Sequence, residues 1–355
     1  MRVLIACLLV VIGSRTTCGE SFVYVSLAGE NRIAIYNLND QTAELTPCGT
    51  AKVDGGPGSL TTDPSRKFLF ASIRSVGKLA SFRIHAQDGS LTLLSEVPAG
   101  ADPAYVATDK TGRFLLSAYY RAGKVSVHRI DKSGALSAEP LQTIPTAEKA
   151  HSIRTDHSNH FAFVPHTGPN AIFQFLFDQQ TGRLSANAVA KVQRPENTGP
   201  RHIAFHPTKD LVYVSDEQGS SVTVYRLDAK QGRLTALQTI SSLPKSFSGN
   251  NSTAHIEVDP SGRFVYIANR GHDSIAAFRI NHDSGTLASL GQTPTEQTPR
   301  SFNIDPSGKL LIAAGQASGK LATFRINQDS GKLTRVGTLD VGKQPWWVLI
   351  VRLRD

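Results

Sequence analysis

Cysteine, methionine, aromatic side chains and long apolar runs are all scarce in this chain, and each scarcity excludes something. Three cysteines in 355 residues cannot staple a disulfide-dense fold. With 7% aromatics, a single Met and 19% charged residues, the composition is also far from that of disordered, collagenous or polytopic membrane chains. Val3 to Gly13 is the one long apolar run, and at about eleven residues it is too short for a bilayer, which needs roughly 20. Sequence motifs for common chemistries are missing too. There is no His-Glu-x-x-His, no Gly-x-Ser-x-Gly, no Cys-x-x-Cys and no Gly-x-Gly-x-x-Gly between strand and helix. Gly315 to Lys320 falls one residue short of a phosphate loop and has Leu321 where a hydroxyl is needed. His157 and His160 read as loop residues, and no metal or cofactor is expected.

The apolar run follows Arg2 and precedes the small, polar stretch Ser14 to Gly19, which is the layout of a secretory signal. Residues 1–19 are therefore expected to be a signal peptide, cleaved near Cys18 to Glu20, and residues 20–355 the mature, exported domain, periplasmic or extracellular. Cleavage removes Cys7 and Cys18 and leaves Cys48, so no disulfide is expected. Asn250 and Asn251 head glycosylation sequons, which matter only on a eukaryotic secretory route.

A formal charge of +9 invites a nucleic-acid reading, but the basic residues are spaced, not massed. Arg83, Arg129, Arg226, Arg279 and Arg325 hold one repeated position, and Arg183, Arg233 and Lys332 another. Charge spread in this way decorates solvated strands, so neither nucleic acid nor a membrane is an expected partner.

That spacing belongs to a repeat. Strand-like runs begin at Phe22, Phe68, Phe114, Phe161, Leu211, Phe264 and Leu310, and subtraction gives intervals of 46, 46, 47, 50, 53 and 46 residues. Turns such as Asp109-Lys110-Thr111-Gly112 and Asp259-Pro260-Ser261-Gly262 precede them. After each run comes an alternating strand, a Gly-containing turn and a Leu, as in Tyr225-Arg226-Leu227 to Leu234, with Tyr36-Asn37-Leu38 to Leu45 a degenerate first copy. About 48 residues with four short strands and no helical period make one propeller blade. The predicted fold is all-β: a seven-bladed β-propeller of four-stranded blades. Pro345 to Val351 has the pattern of an innermost strand without its sequel, whereas the mature N-terminus starts at the sequel, so the two terminal segments should share one blade and close the ring.

Residues that break the shared pattern at equivalent positions point to function. Five positions before the turn residue the repeats carry Gly58, Ala104, His151, Arg201, Ala254 and Arg300, and the next position adds His202 and His255. Strict alternation would turn these neighbours to opposite faces. Six residues after each strand start stand Ala28, Arg74, Tyr120, Thr167, Glu217, Arg270 and Gln316. Antiparallel pairing brings both series to one mouth of the central channel, where arginine forks suit a carboxylate or phosphate and Glu217 is the lone acid.

The chain resembles the seven-bladed propeller lactonases typified by bacterial 6-phosphogluconolactonase and, more distantly, the fungal carboxymuconate lactonising enzyme. The resemblance runs over essentially the whole chain after the signal. It is carried by His151-Ser152, by Thr198-Gly199-Pro200-Arg201-His202-Ile203-Ala204-Phe205-His206-Pro207, by Asp216-Glu217, Ala254-His255-Ile256 and Asn269-Arg270, by Thr293 to Asn303, and by Leu311 to Gln316. It implies lactone hydrolysis, with His151, Arg201, Glu217 and Arg270 as the catalytic group. The expected substrate is a small anionic or polyol lactone of a sugar acid, held by Arg300, His255, Gln316, Arg74 and Tyr120. Two alternatives remain at the level of sequence: a lactone-forming cycloisomerase, and a non-enzymatic exported binding propeller, for which only Trp346 and Trp347 hint at an aromatic face.

Overall fold

The computed structural model describes residues 21–353, so the segment expected to be a signal lies outside the described residues. Seven four-stranded antiparallel sheets stand around a channel. From the channel outward, blade 1 runs Pro345–Arg352, Ser21–Leu27, Arg32–Leu38 and Leu45–Lys52, and the six blades that follow are each built from consecutive strands. Ser21 pairs with Arg352 and Val25 with Val348, so the C-terminal segment is the innermost strand of the blade that the N-terminal segment begins. Two single-turn 3-10 helices, Ala28–Glu30 and Arg74–Val76, are the only helical elements among the described residues.

Burial explains the sequence pattern of each strand. A second strand such as Leu211–Asp216 is covered on both faces by neighbouring blades and is buried throughout, hence its continuous apolar run. An outer strand such as Arg233–Ser241 is exposed at most positions and carries the polar residues. The repeated arginines have a local task as well: Arg83, Arg129 and Arg279 lie directly across from Phe68, Phe114 and Phe264 and place their guanidinium groups 5.6, 5.6 and 5.0 Å from those rings.

Turn residues lock the blades together. The Asp109 carboxylate accepts bonds from the backbone N–H groups of Thr111, Arg113 and Phe114 at 2.9–3.0 Å, and Asp156 and Asp259 repeat the pattern. In blade 5 the His206 Nδ1 accepts instead, from the N–H groups of Thr208 and Lys209. In blades 2 to 7 the Gly of the outer hairpin packs against the blade before it: at Gly232 (φ 64°) a Cβ would lie 2.0 Å from the Phe161 ring, whereas blade 1 has Ala43 (φ 66°) at that place.

One irregularity recurs near the start of the innermost strands. The register slips between Pro57 and Leu60, Pro103 and Tyr105, Pro200 and Ile203, Thr253 and Ile256, and Pro299 and Ser301. These are β-bulges, which twist the strand and re-aim its side chains. They sit in a ring at the mouth where both residue series arrive.

Candidate active site

A cavity of about 1070 Å³ opens at this mouth, lined by Arg74, Tyr120, His151, Glu217, Arg270, Arg300 and Trp346 among others. The bulges supply Arg300 and Trp346, and the ends of the second strands supply Arg74, Tyr120, Glu217 and Arg270. Glu217 is fixed by its backbone, its N–H donating to the Gly199 carbonyl at 2.7 Å and its carbonyl accepting from Thr253 at 3.2 Å. Its Oε1 accepts from Arg270 Nη2 at 2.5 Å, and its Oε2 lies 3.6 Å from Arg201 Nε. Arg270 Nη2 is also tied to the Thr253 carbonyl at 3.0 Å.

Arg201 lies beneath the cavity, 1% exposed, with its carbonyl accepting a bond from Ser152 Oγ at 2.8 Å. Its Nη1 reaches the Nε2 of its own neighbour, His202, at 3.2 Å. Strict alternation would have sent these two side chains to opposite faces, but the bulge places residues 201 and 202 together between the Pro200–Asp216 and Ile203–Val214 pairs, and both turn to the channel.

The remaining expected residues divide. Arg74 is paired with Asp102 at 3.3 Å and lies 5.5 Å from the Tyr120 ring. Arg300 is stacked 3.9 Å from the Trp346 ring centre, and its Nη1 meets Gln316 Oε1 at 3.5 Å. Gln316 itself lines a separate groove with Thr298 and therefore reaches the cavity only through Arg300. His255 does not line this cavity. It stands deeper in the channel against His202 and lines the opposite cavity, of about 540 Å³. Trp346, which the sequence offers only as a hint of an aromatic face, lines the cavity as well. It follows Pro345 as Gly58, Ala104, Arg201 and Arg300 follow Pro57, Pro103, Pro200 and Pro299, and this shared proline is the signal that places it in the same series.

Electrostatics follow from this packing. Burial alone would raise the Glu217 carboxyl, but Arg201 and Arg270 outweigh it and hold the group below its ordinary value, so Glu217 is ionised at neutral pH. Burial, together with the positive field of Arg201, Arg300, Arg74 and Arg270, holds His151 well below its ordinary value and keeps the imidazole neutral. Arg300 is pushed down to about 9, by burial and by Arg270 and Arg74, and still carries its proton at neutral pH. Four guanidinium groups thus face two carboxylates, Glu217 and Asp102, and the surplus is positive. Several buried polar atoms have no hydrogen bond: His151 Nδ1, Arg270 Nε, and Glu217 Oε2 and Arg201 Nε, which share only their 3.6 Å ion pair. Unsatisfied atoms of both polarities in one place are costly and mark a spot for a polar ligand and water.

Comparison with known proteins addresses the chain as a whole. A 6-phosphogluconolactonase of Pectobacterium carotovorum subsp. carotovorum is 37% identical over 166 residues, 46% of this chain and 49% of that protein. One from Enterobacter sp. is 34% identical over 215 residues, covering 61% and 65%. The chain spans about half the length of the first of these relatives. The periplasmic gluconolactonase of Pseudomonas aeruginosa superposes with a TM-score of 0.88 over 94% of this chain and 99% of its own, at 25% identity. Residues 10–350 match the family described as Lactonase, 7-bladed beta-propeller. With seven blades, a cationic mouth and a match over nearly its whole length, this chain belongs to the seven-bladed β-propeller lactonase family.

Proposed function

We propose that the protein hydrolyses the lactone of a sugar acid at this channel mouth, binding an anionic or polyol substrate. The observation that carries the reading is the set of buried atoms without a hydrogen bond, which contains what ester hydrolysis needs: acceptors for water, Glu217 Oε2 and His151 Nδ1, and donors for an oxyanion, Arg201 Nε and Arg270 Nε. Water held by the Glu217–His151 pair attacks the ring carbonyl and gives its proton to the pair. Charge builds on the carbonyl oxygen, where Arg201 and Arg270 offset it. Collapse breaks the ring C–O bond, and the same proton passes to the departing alkoxide, leaving a hydroxy acid. Arg300, held by Trp346 and Gln316, and Arg74 beside Tyr120 bind the distal anionic or hydroxyl-bearing end.

The names of the relatives, 6-phosphogluconolactonase and periplasmic gluconolactonase, support the reaction class. The layout of residues 1–19 and the periplasmic neighbour support export of a mature domain that starts near residue 20. A panel of aldonolactones and phosphorylated aldonolactones, assayed for hydrolysis above the spontaneous rate, tests the reading. Acceleration of at least one, lost in Glu217→Gln, is expected. Lactone formation without hydrolysis would point to the cycloisomerase, and binding without turnover to a recognition propeller.

A further inference from the structure

Below the candidate site the channel is not empty of chemistry. A line of polar side chains runs from Arg201 to Glu257: Arg201 Nη1 to His202 Nε2 at 3.2 Å, His202 Nδ1 to His255 Nδ1 at 2.9 Å, and His255 Nε2 to Glu257 Oε1 at 2.9 Å. Its members come from two adjacent blades, the bulged strands Pro200–Phe205 and Ser252–Val258. Aromatic rings wall it: Tyr105 is 5.2 Å from His202, Trp347 is 5.0 Å from His255, and Phe302 is 5.2 Å from His255.

Donor and acceptor rules leave this line one arrangement of protons. A guanidinium only donates, so His202 Nε2 must accept and its proton must sit on Nδ1. That N–H can only be given to His255 Nδ1, which therefore accepts and places the His255 proton on Nε2. The last N–H is given to the Glu257 carboxylate, which only accepts. All three bonds point the same way, from the buried cation to the carboxylate at the far side. Glu257 is itself pinned, Oε1 accepting from Asn303 Nδ2 at 2.7 Å and Oε2 from the Ile304 N–H at 2.9 Å. Arg201 carries no proton down this line, because a guanidinium keeps its own; the line orients and does not conduct.

We propose that Glu257 is a positioning residue for the reaction at the opposite end of the channel: it anchors the far end of the line, demands through His255 and His202 the same proton order that Arg201 demands from the near end, and so holds the Arg201 guanidinium in the plane that presents Nε to Glu217 and the cavity. This rests on the lactonase reading for its kinetic part alone. It also gives His255 its place, as a link in the line and not a contact to substrate.

The test uses the whole mature protein labelled with 15N-histidine. Long-range proton–nitrogen correlations near neutral pH are expected to show His202 neutral with its proton on Nδ1 and His255 with its proton on Nε2. In Glu257→Gln the amide cannot accept from His255, Asn303 and Ile304 together; where its NH2 turns to His255 the proton order is reversed and His202 Nε2 can no longer accept from Arg201, so the two ends of the line compete and the His255 and His202 proton positions should become mixed. His255→Phe keeps a ring between Trp347 and Phe302 and leaves Glu257 its other two partners. Both variants should lower kcat about 10- to 100-fold, the scale of a misaligned catalytic group, with KM within about twofold. A purely structural role would lower the melting temperature and leave the proton positions and kcat as they were. His202 with its proton on Nε2 in the wild type, or folded variants that retain wild-type kcat, would overturn the proposal. If the wild type opens no lactone, the proposed function fails, and the proton positions alone still decide for or against the line.

Discussion

His128 offers a stability test whose size can be worked out in advance. It stands on the third strand of its blade, 1% exposed, and neither ring nitrogen has a partner. The equivalent positions in the other six blades are Tyr36, Phe82, Phe175, Tyr225, Phe278 and Phe324, so the site is shaped for an aromatic ring and His128 brings two nitrogens it cannot satisfy. Burial, with the nearby Lys124, lowers its pKa from 6.5 to about 4. The sign follows directly: between these values the unfolded state binds the proton and the folded state does not, so stability rises with pH and is lost on acidification. Near pH 5 the loss from this one residue is about 2 kcal/mol, and near pH 7.5 it vanishes. His128→Phe should therefore gain about 1–3 kcal/mol at pH 7.5 from removing unsatisfied polar atoms, and the gap to wild type should widen by about 2 kcal/mol at pH 5. Urea unfolding of both proteins at the two pH values measures it. The comparison cancels every other titrating group, including Asp216, whose pKa is raised by burial to about 6 and which works in the opposite direction. A gap that stays constant with pH, or a variant less stable at both, would refute the reasoning.

Arg270→Ala is expected to lower kcat on the order of a hundredfold to a thousandfold while the circular dichroism spectrum stays that of the wild type, since it removes an oxyanion donor. Arg300→Ala and Trp346→Ala should instead raise KM, and with similar size, because the 3.9 Å stack makes them one binding unit; a kcat effect without a KM effect would contradict this. Treatment with a chelator should leave activity intact, because the Glu217 carboxylate is already shared by two guanidinium groups whose field repels a metal cation; lasting loss after dialysis would overturn that expectation. Removing residues 345–355 takes away the innermost strand of blade 1, with buried Trp347, Val348, Ile350 and Val351, and should give aggregated protein on size-exclusion chromatography.

Much of this architecture was legible because each blade repeats a local pattern. Phe114-Leu115-Leu116-Ser117 reads as a strand buried on both faces, Asp109-Lys110-Thr111-Gly112 as a turn, and the shared blade follows from Pro345 to Val351 lacking a sequel. The cavity residues Arg74, Tyr120, His151, Glu217, Arg270 and Arg300 came from comparing repeats, which works when a strand end maps to one mouth. What alternation could not supply was the bulge. A single extra residue breaks the period of two, so Arg201 and His202 share a side that parity separates. His255 is expected at the substrate only from the family resemblance, whereas alternation already sets its register apart from that of Arg201 and Arg300, and Glu257, two residues on and so on its own face, marks its direction. Trp346 escaped because its strand ends the chain and has no turn residue from which to count.

The pairing of Ser21 with Arg352 also sets an order of events in time. Six blades can form from neighbouring segments as they are made, but blade 1, begun at Ser21–Leu27, must wait for Pro345–Arg352, across a loop of nearly the whole ring. Until Pro345–Arg352 arrives, blade 1 consists of its three outer strands alone and the ring stays open. A chain of this kind cannot lock into its native shape early; the delay leaves unpaired strand edges exposed, so its yield in cells should depend on chaperones that guard the chain until the Pro345–Arg352 strand is in place.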